Sequence, residues 1–331
     1  MKTLIRFLTF SAALAIAWLA YFAYTPIQLK METVDFDIEA GSRFRVISKQ
    51  LVTQKVLAEP LSFELLARVL GQASDLKAGI YIIKNGTTPI DLLTQITSGT
   101  TGQAGVTFIE GWTFAQMRQA LNQNEAIKHM TMSETDAQIL KQIGANETQA
   151  EGLFFPDTYY FAPNTSDREI LKRAYITMQG KINKAWAEKA EGLPYQTSYQ
   201  ALIMASIVEK ETGKASERPQ IAGVFINRLK VGMRLQTDPT VIYGLGEHFD
   251  GNLHKKDLLT DTAYNTYTRD GLPPTPIAMP GLGAIHAALH PAPTKALYFV
   301  GKGDGSHAFS ASLSEHNNAV VRYQLGGKNA R

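Results

Sequence analysis

Ala205-Ser-Ile-Val-Glu-Lys-Glu-Thr212 sets two carboxylates at the end of an otherwise apolar helix. Leu202, Ile203, Met204, Ala205, Ile207 and Val208 lie in a run without Gly or Pro, so Gln200 to Thr212 reads as a buried helix ended by Gly213. On that helix Glu209 shares a face with Leu202, Ala205 and Ser206, whereas Glu211 shares one with Met204, Ile207 and Val208. Periodicity does not choose between them. A carboxyl group in an apolar wall has its ionised form disfavoured, so its pKa rises toward the working pH and it becomes a general-acid candidate. The ordinary alternative is a charged helix end paired with Lys210, Lys214 or Arg218.

Outward from that helix, the N-terminus speaks to the compartment. Residues 1–6, Met-Lys-Thr-Leu-Ile-Arg, are short and basic, and residues 7–24 carry no charge. At the helical rise this uncharged stretch is roughly 27 Å long, enough to cross a bilayer. A cleavage site ending at Ala23 would put Tyr21 in a slot that wants a small residue, so the segment reads as an uncleaved anchor. Lys2 and Arg6 precede it, while Glu32, Asp35, Asp37 and Glu39 outnumber Lys30 beyond it. The tail is therefore expected in the cytoplasm and the remainder outside. The 331 residues contain no cysteine, which removes lipid attachment and disulfides. A net charge of +3 without a long basic block excludes a nucleic-acid surface.

The chain beyond the anchor has room for two domains of α+β class. In residues 25–104, a linker and small subdomain, Val34 to Ile38 alternates as a strand and Ser42 to Leu57 reads as strand or helix. Phe63 to Leu70 has helical spacing, and Leu76 to Ile83 is a strand entered through Gly79. Asn85-Gly86 turns the chain into a helix from Thr88 to Ile96, capped by Thr88 with Pro89 at its first position. Residues 105–150 form a connecting region: a strand from Val106 to Glu110, a helix from Phe114 to Leu121, and a polar helical stretch from His129 to Asn146 broken at Gly144. A larger mixed α+β domain spans 151–331. It opens on aromatic-rich Glu151-Gly-Leu-Phe-Phe-Pro-Asp-Thr-Tyr-Tyr-Phe161, followed by helices over Asp167 to Ala190, behind an Asp167 cap, and Ser216 to Lys230. From Met233 onward Gly, Pro, Thr and Tyr imply shaped loops.

Three polar clusters share the larger domain with Glu209. They are Leu235-Gln-Thr-Asp-Pro-Thr240 with Tyr243 behind it, Tyr264-Asn-Thr-Tyr267, and Gly271-Leu-Pro-Pro-Thr-Pro276 leading to Pro280-Gly281. Amide, hydroxyl and aromatic groups on rigid loops suit a sugar polymer, whose hydroxyls want hydrogen bonds and whose ring faces want flat apolar surfaces. Such residues beside Pro also simply close turns. His286 and His290 stand four apart, but no third ligand is indicated and no metal is expected. Neither a nucleophile elbow nor a phosphate-binding loop occurs, and Ser206 is followed three residues on by Glu209, not by lysine.

Taken in order, Glu151-Gly-x-x-Phe-Pro-Asp-Thr-Tyr, Ala205-Ser-Ile-Val-Glu-Lys-Glu-Thr, Phe225-Ile-Asn-Arg-Leu229, Met233-Arg-Leu-Gln-Thr-Asp-Pro-Thr-Val-Ile-Tyr-Gly244, Tyr264-Asn-Thr-Tyr267 and Gly271-Leu-Pro-Pro274 resemble the signatures of the endolytic murein transglycosylase (YceG-like) family. The likeness covers nearly the whole chain, including the single anchor and a segment, Leu76-Lys-Ala-Gly-x-Tyr81, similar to the family's LysM-like subdomain. Thr275 and Met279 depart from residues common in the family and bear on loop shape.

The resemblance implies a lyase that needs no cofactor. It would cut the β-1,4 bond between N-acetylmuramic acid and N-acetylglucosamine in nascent glycan strands, leave a 1,6-anhydro end and limit glycan polymerisation. It implies Glu209 as the catalytic acid/base; beside it, the polar clusters offer Gln236, Thr237, Asp238, Tyr243, Asn265, Thr266 and Tyr267 as substrate-binding candidates, with Glu211 as an orienting or charge-tuning neighbour at the same site. The implied setting is the inner membrane, single-pass, with the catalytic domain in the periplasm and glycan-polymerising synthases of the penicillin-binding class as neighbours. Two rivals stand beside it: a hydrolytic muramidase with Asp238 as second carboxylate, and a noncatalytic, membrane-tethered glycan-binding adaptor.

Overall fold

The computed structural model describes residues 2–39, 41–98, 104–161 and 164–326, without the side chains at 2–9 and 12. It divides into two compact units, residues 1–105 with 160–165, and residues 106–159 with 166–331.

The first unit runs α1 (Lys2–Tyr24), β1 (Thr33–Ile38), α2 (Phe44–Thr53), α3 (Leu61–Val69), β2 (Gly79–Lys84) and α4 (Pro89–Ser98). β1 and β2 pair antiparallel, with Thr33 opposite Lys84 and Ile38 opposite Gly79. Alternation turns Phe36, Ile38, Tyr81 and Ile83 inward onto Ile47, Leu51, Phe63, Leu92 and Ile96. The undecided 42–57 segment is a helix because Phe44, Ile47, Ser48 and Leu51, at helical spacing, are its buried side. Thr88 caps α4 as its sequence suggests, accepting from Asp91 N at 3.3 Å. The end of α1 belongs to this core, with Ala23 and Ile27 buried and Leu19 and Phe22 packed against it. The expected membrane span at 7–24 falls partly on side chains outside the described residues. Among the described residues no helix is long and apolar enough to cross a membrane.

The second unit contains residues of β3 (Ala104–Thr107) and β4 (Thr158–Phe161). It also holds α5 (Phe114–Asn122), α6 (Asp136–Ile143), α7 (Asp167–Ala187), α8 (Ser198–Glu211), α9 (Arg218–Lys230), α10 (Asp238–Leu245), α11 (Lys255–Leu259), α12 (Leu282–Leu289), the antiparallel hairpin β5 (Tyr298–Gly301) and β6 (His307–Ser310), and α13 (Leu313–Tyr323). Residues 106–150 pack inside this unit and do not form a separate connector.

Two helices differ from their sequence reading. The polar stretch from His129 is helical only over α6, because Arg118 donates to the carbonyls of Thr131, Met132 and Glu134 and holds them in a turn. At α7 the cap is Ser166, in a reciprocal box with Glu169. Asp167 is fully buried, and its carboxylate accepts from the backbone of Met130 and Thr131. The region after Met233 is also more regular than its Gly and Pro content suggests, carrying four helices and the β5–β6 hairpin.

α8 is the axis of this unit. Every residue from Ala201 to Val208 is buried, as a helix apolar all round must be. It starts two residues earlier than its apolar pattern indicates, because Thr197 caps it by accepting from Gln200 N. It ends where Thr212 turns extended. α12 lies across both α8 and α9, and Ser206, the polar residue in the apolar run, accepts from Ile277 N at 3.0 Å and so fixes the approach to α12.

Candidate active site

Glu209 occupies the last turn of α8, with its side chain 5% exposed. Arg218 Nη2 lies 2.9 Å from its Oε1, and the backbone N–H of Gly281 donates to its Oε2 at 2.9 Å. Gly281 caps α12, so the carboxyl faces the positive end of a helix as well as a guanidinium. Both favour ionisation. Burial acts the other way and is the largest influence, reinforced by the negative charge of Glu110, so the pKa stands above the ordinary carboxylate value. Both sequence readings hold: the group is buried in an apolar wall and it is paired with Arg218.

The opposite wall is a loop after β3. Gly111, at φ +78°, takes a left-handed conformation that favours glycine. Its N–H donates to Met279 O at 2.8 Å, and Met279 N donates to Trp112 O at 2.7 Å. This backbone clasp carries Glu110 to Gly281. A side chain at position 281 would meet the Glu110 carboxylate, which would have to swing aside. Lys210 Nζ donates to Gly111 O at 3.3 Å and ties α8 to the same loop.

Glu211 points elsewhere. It accepts from Thr237 Oγ1 at 2.8 Å, and its pKa is pushed up to about 7, chiefly by burial and further by the charge of Asp238. It lines a cavity of about 340 Å³ with Arg228, Gln236, Asp238, Tyr267 and His307. Tyr267 donates to Asp238 Oδ1 at 2.6 Å. Arg228 donates to Leu297 O and Leu235 O, each at 2.6 Å, joining the hairpin to the Gln236 loop. Gln236 itself sits at φ +48°, an uncommon conformation for a residue with a side chain.

Thr237, Asn265 and Thr266, expected to touch substrate, have a different part. All three are at least 97% removed from solvent. Asn265 Nδ2 donates to the carbonyls of Asp257, Leu258 and Thr260 at 2.7 to 3.2 Å. Thr266 Oγ1 accepts from Thr237 N at 3.1 Å. Asn265 and Thr266 satisfy buried backbone in irregular chain, which physical chemistry demands of such loops, while Thr237 spends its hydroxyl on Glu211. Tyr243 donates to Glu151 Oε2 at 3.1 Å, and Phe114 N donates to Oε1 at 3.0 Å, while burial pushes the Glu151 carboxyl up to about 7. His286 and His290 stack at 4.4 Å, and His290 Nε2 lies 2.8 Å from Glu188 O. Among the described residues no group of three or more His, Cys, Asp or Glu could hold a metal.

Glu110 escaped sequence reasoning, and Gly281 was read only as the end of the third polar cluster, without its contact to Glu209. Glu110 lies beside Gly111 and Gly281 beside Pro280, and only the tertiary clasp between Gly111 and Met279 brings them to Glu209.

A mixed α+β unit with a buried carboxylic acid at the end of a fully buried helix is the class that this fold and site define. The model of the YceG-like family matches residues 36–322, and the chain belongs to that family. An endolytic murein transglycosylase of Bacillus subtilis is 35% identical over 318 residues, covering 90% of this chain and 87% of that protein. One from Streptococcus pneumoniae is 27% identical, covering 98% of this chain and 65% of its own length. The crystal structure of a YceG-like protein from Listeria monocytogenes superposes with a TM-score of 0.55 at 31% identity, covering 87% of this chain and 99% of that one.

Proposed function

We infer that this chain is an endolytic murein transglycosylase, a lyase acting on peptidoglycan glycan strands. Two relatives carry that name, and the carrying observation here is Glu209, a buried carboxyl whose pKa is raised yet which keeps an edge toward solvent. Glu209 protonates the glycosidic oxygen as the bond from C1 of muramic acid breaks. Its carboxylate then takes the proton of the C6 hydroxyl, whose oxygen closes on C1 to give a 1,6-anhydro end. Because that nucleophile is intramolecular, positioning replaces several kcal/mol of activation entropy, about 7 or more in favourable cases, and no second carboxylate is required as it is in glycoside hydrolysis. Asp238, the second carboxylate of a hydrolytic reading, hydrogen-bonds to Tyr267 beside Glu211. Leu272, Pro273 and Pro274 line a groove with Tyr199 and Ile203 that offers flat surface for sugar rings.

The uncharged stretch 7–24 is the candidate anchor in the inner membrane, its last part, Leu19 to Ala23, also packing on the first unit's core. Phe10, Leu14, Ile16 and Trp18 project from α1, exposed by half or more, and Trp18, Tyr21 and Tyr24 suit the interface at its outer end. The β-α-α-β order of β1, α2, α3 and β2 supports a LysM-like glycan-binding subdomain. Held there, the catalytic unit meets strands as they leave the synthases and limits their length. Mass spectrometry of products from the full chain in detergent, on uncrosslinked strands, tests the chemistry. Anhydromuramic ends that vanish in Glu209→Gln are expected. Products heavier by one water would make it a hydrolase, and binding without turnover would make it an adaptor.

A further inference from the structure

Arg218 lies between two carboxylates. Its Nη2 is 2.9 Å from Glu209 and 3.8 Å from Glu110, and its Nε is buried without a hydrogen-bond partner among the described residues. The guanidinium is thus held to Glu209 through one nitrogen and not by a two-pronged fork. Glu110 is half exposed, its carboxylate filling the space a side chain at 281 would need. The charged groups acting on Glu209 are Lys210 on its own helix, Arg218 at the start of α9 and Glu110 on the loop before α5, with the Gly281 N–H at the start of α12. Lys210 is engaged with Gly111 O. Arg218 is the cation able to change partners by a small rotation.

A general acid paired with arginine is held in the wrong protonation state, since the pair favours the carboxylate. We propose that Glu110 is a positioning residue that acts through Arg218. In the resting enzyme Arg218 closes on Glu209; when a glycan strand fills the cleft and excludes water, the guanidinium turns to Glu110 and Glu209 takes up the proton it will donate. After the cut the carboxylate recovers that proton from the C6 hydroxyl, and Arg218 returns as product leaves. This rests on Glu209 being the acid/base of the proposed reaction.

The test is the pH profile of anhydromuramic-end formation by the full chain, comparing wild type, Glu110→Gln, Glu110→Asp and Glu209→Gln. In Glu110→Gln, Arg218 has no second carboxylate and stays on Glu209. The basic limb of kcat is expected to move down by about one pH unit, a loss of about tenfold above that limb and little change below it. The limb of kcat/KM, which reports the free enzyme, should move less, and Glu110→Asp should restore both. An unmoved basic limb, or a loss equal at every pH, overturns the proposal and leaves Glu209 as the acid if Glu209→Gln remains silent. Reducing ends made by wild type and lost in Glu110→Gln would make Glu110 the base for water and also overturn it. Absence of cutting by wild type would remove the underlying reading itself.

Discussion

The two sides of the last turn of α8 carry the same chemical group in unlike surroundings. On one side Glu209 meets an arginine, a helix N-terminus and a second carboxylate at an open edge. On the other, two residues on, Glu211 accepts from Thr237 at the lining of a cavity of about 340 Å³, its pKa pushed up to about 7 chiefly by burial. The more perturbed carboxyl is not the better catalyst by that fact alone. A proton buried beside Thr237 supports structure, whereas a proton balanced between burial and a movable cation can be passed on. Perturbation finds candidates, and a charged partner that can let go separates them.

The most severe way to break this comparison is Glu209→Gln, which should lower anhydromuramic-end formation by about a thousandfold. Glu211→Gln should retain most of it, and the reverse result would exchange the two roles. Glu211 then speaks through stability. Its folded pKa of about 7 exceeds the ordinary 4.5, so between those values the native chain holds a proton the unfolded chain has lost. Its contribution is therefore best at low pH and declines as pH rises from 4.5 to about 7. Urea unfolding should show Glu211→Gln relieved of a penalty on the order of 3 kcal/mol at pH 8, with Glu151 still supplying a slope of the same sign.

Smaller effects sharpen the boundary between site and scaffold. Asn265→Ala leaves three loop carbonyls without their donor and should cost about 2 kcal/mol in the same unfolding measurement. Asp238→Asn weakens one bond to Tyr267 and should change stability by about 1 kcal/mol and turnover by less than about tenfold. A loss on turnover matching that of Glu209→Gln would instead restore the two-carboxylate hydrolase.

How much was legible follows the physics of each element. The strands of the first unit show in the alternation of Phe36, Ile38, Tyr81 and Ile83, and α4 in Thr88-Pro89, because these signals are local. Glu209 and Glu211 were both visible as carboxylates in an apolar run, yet period could not separate them, since α8 is buried on every side. In the loops, Asn265 and Thr266 had the residue types of a sugar site, but those side chains answer the needs of neighbouring backbone. Glu110 was silent, because its place depends on hydrogen bonds between Gly111, Trp112 and Met279, which no local pattern records.

The end of α1 has a practical consequence. Leu19, Phe22 and Ala23 cover α3 and α4 as part of the first unit's core. A water-soluble version cut at residue 25 would strip those three side chains away and leave a greasy socket on the small unit. Expression trials should therefore begin upstream of Leu19, since a protein lacking that cover is expected to clump for reasons unrelated to its chemistry.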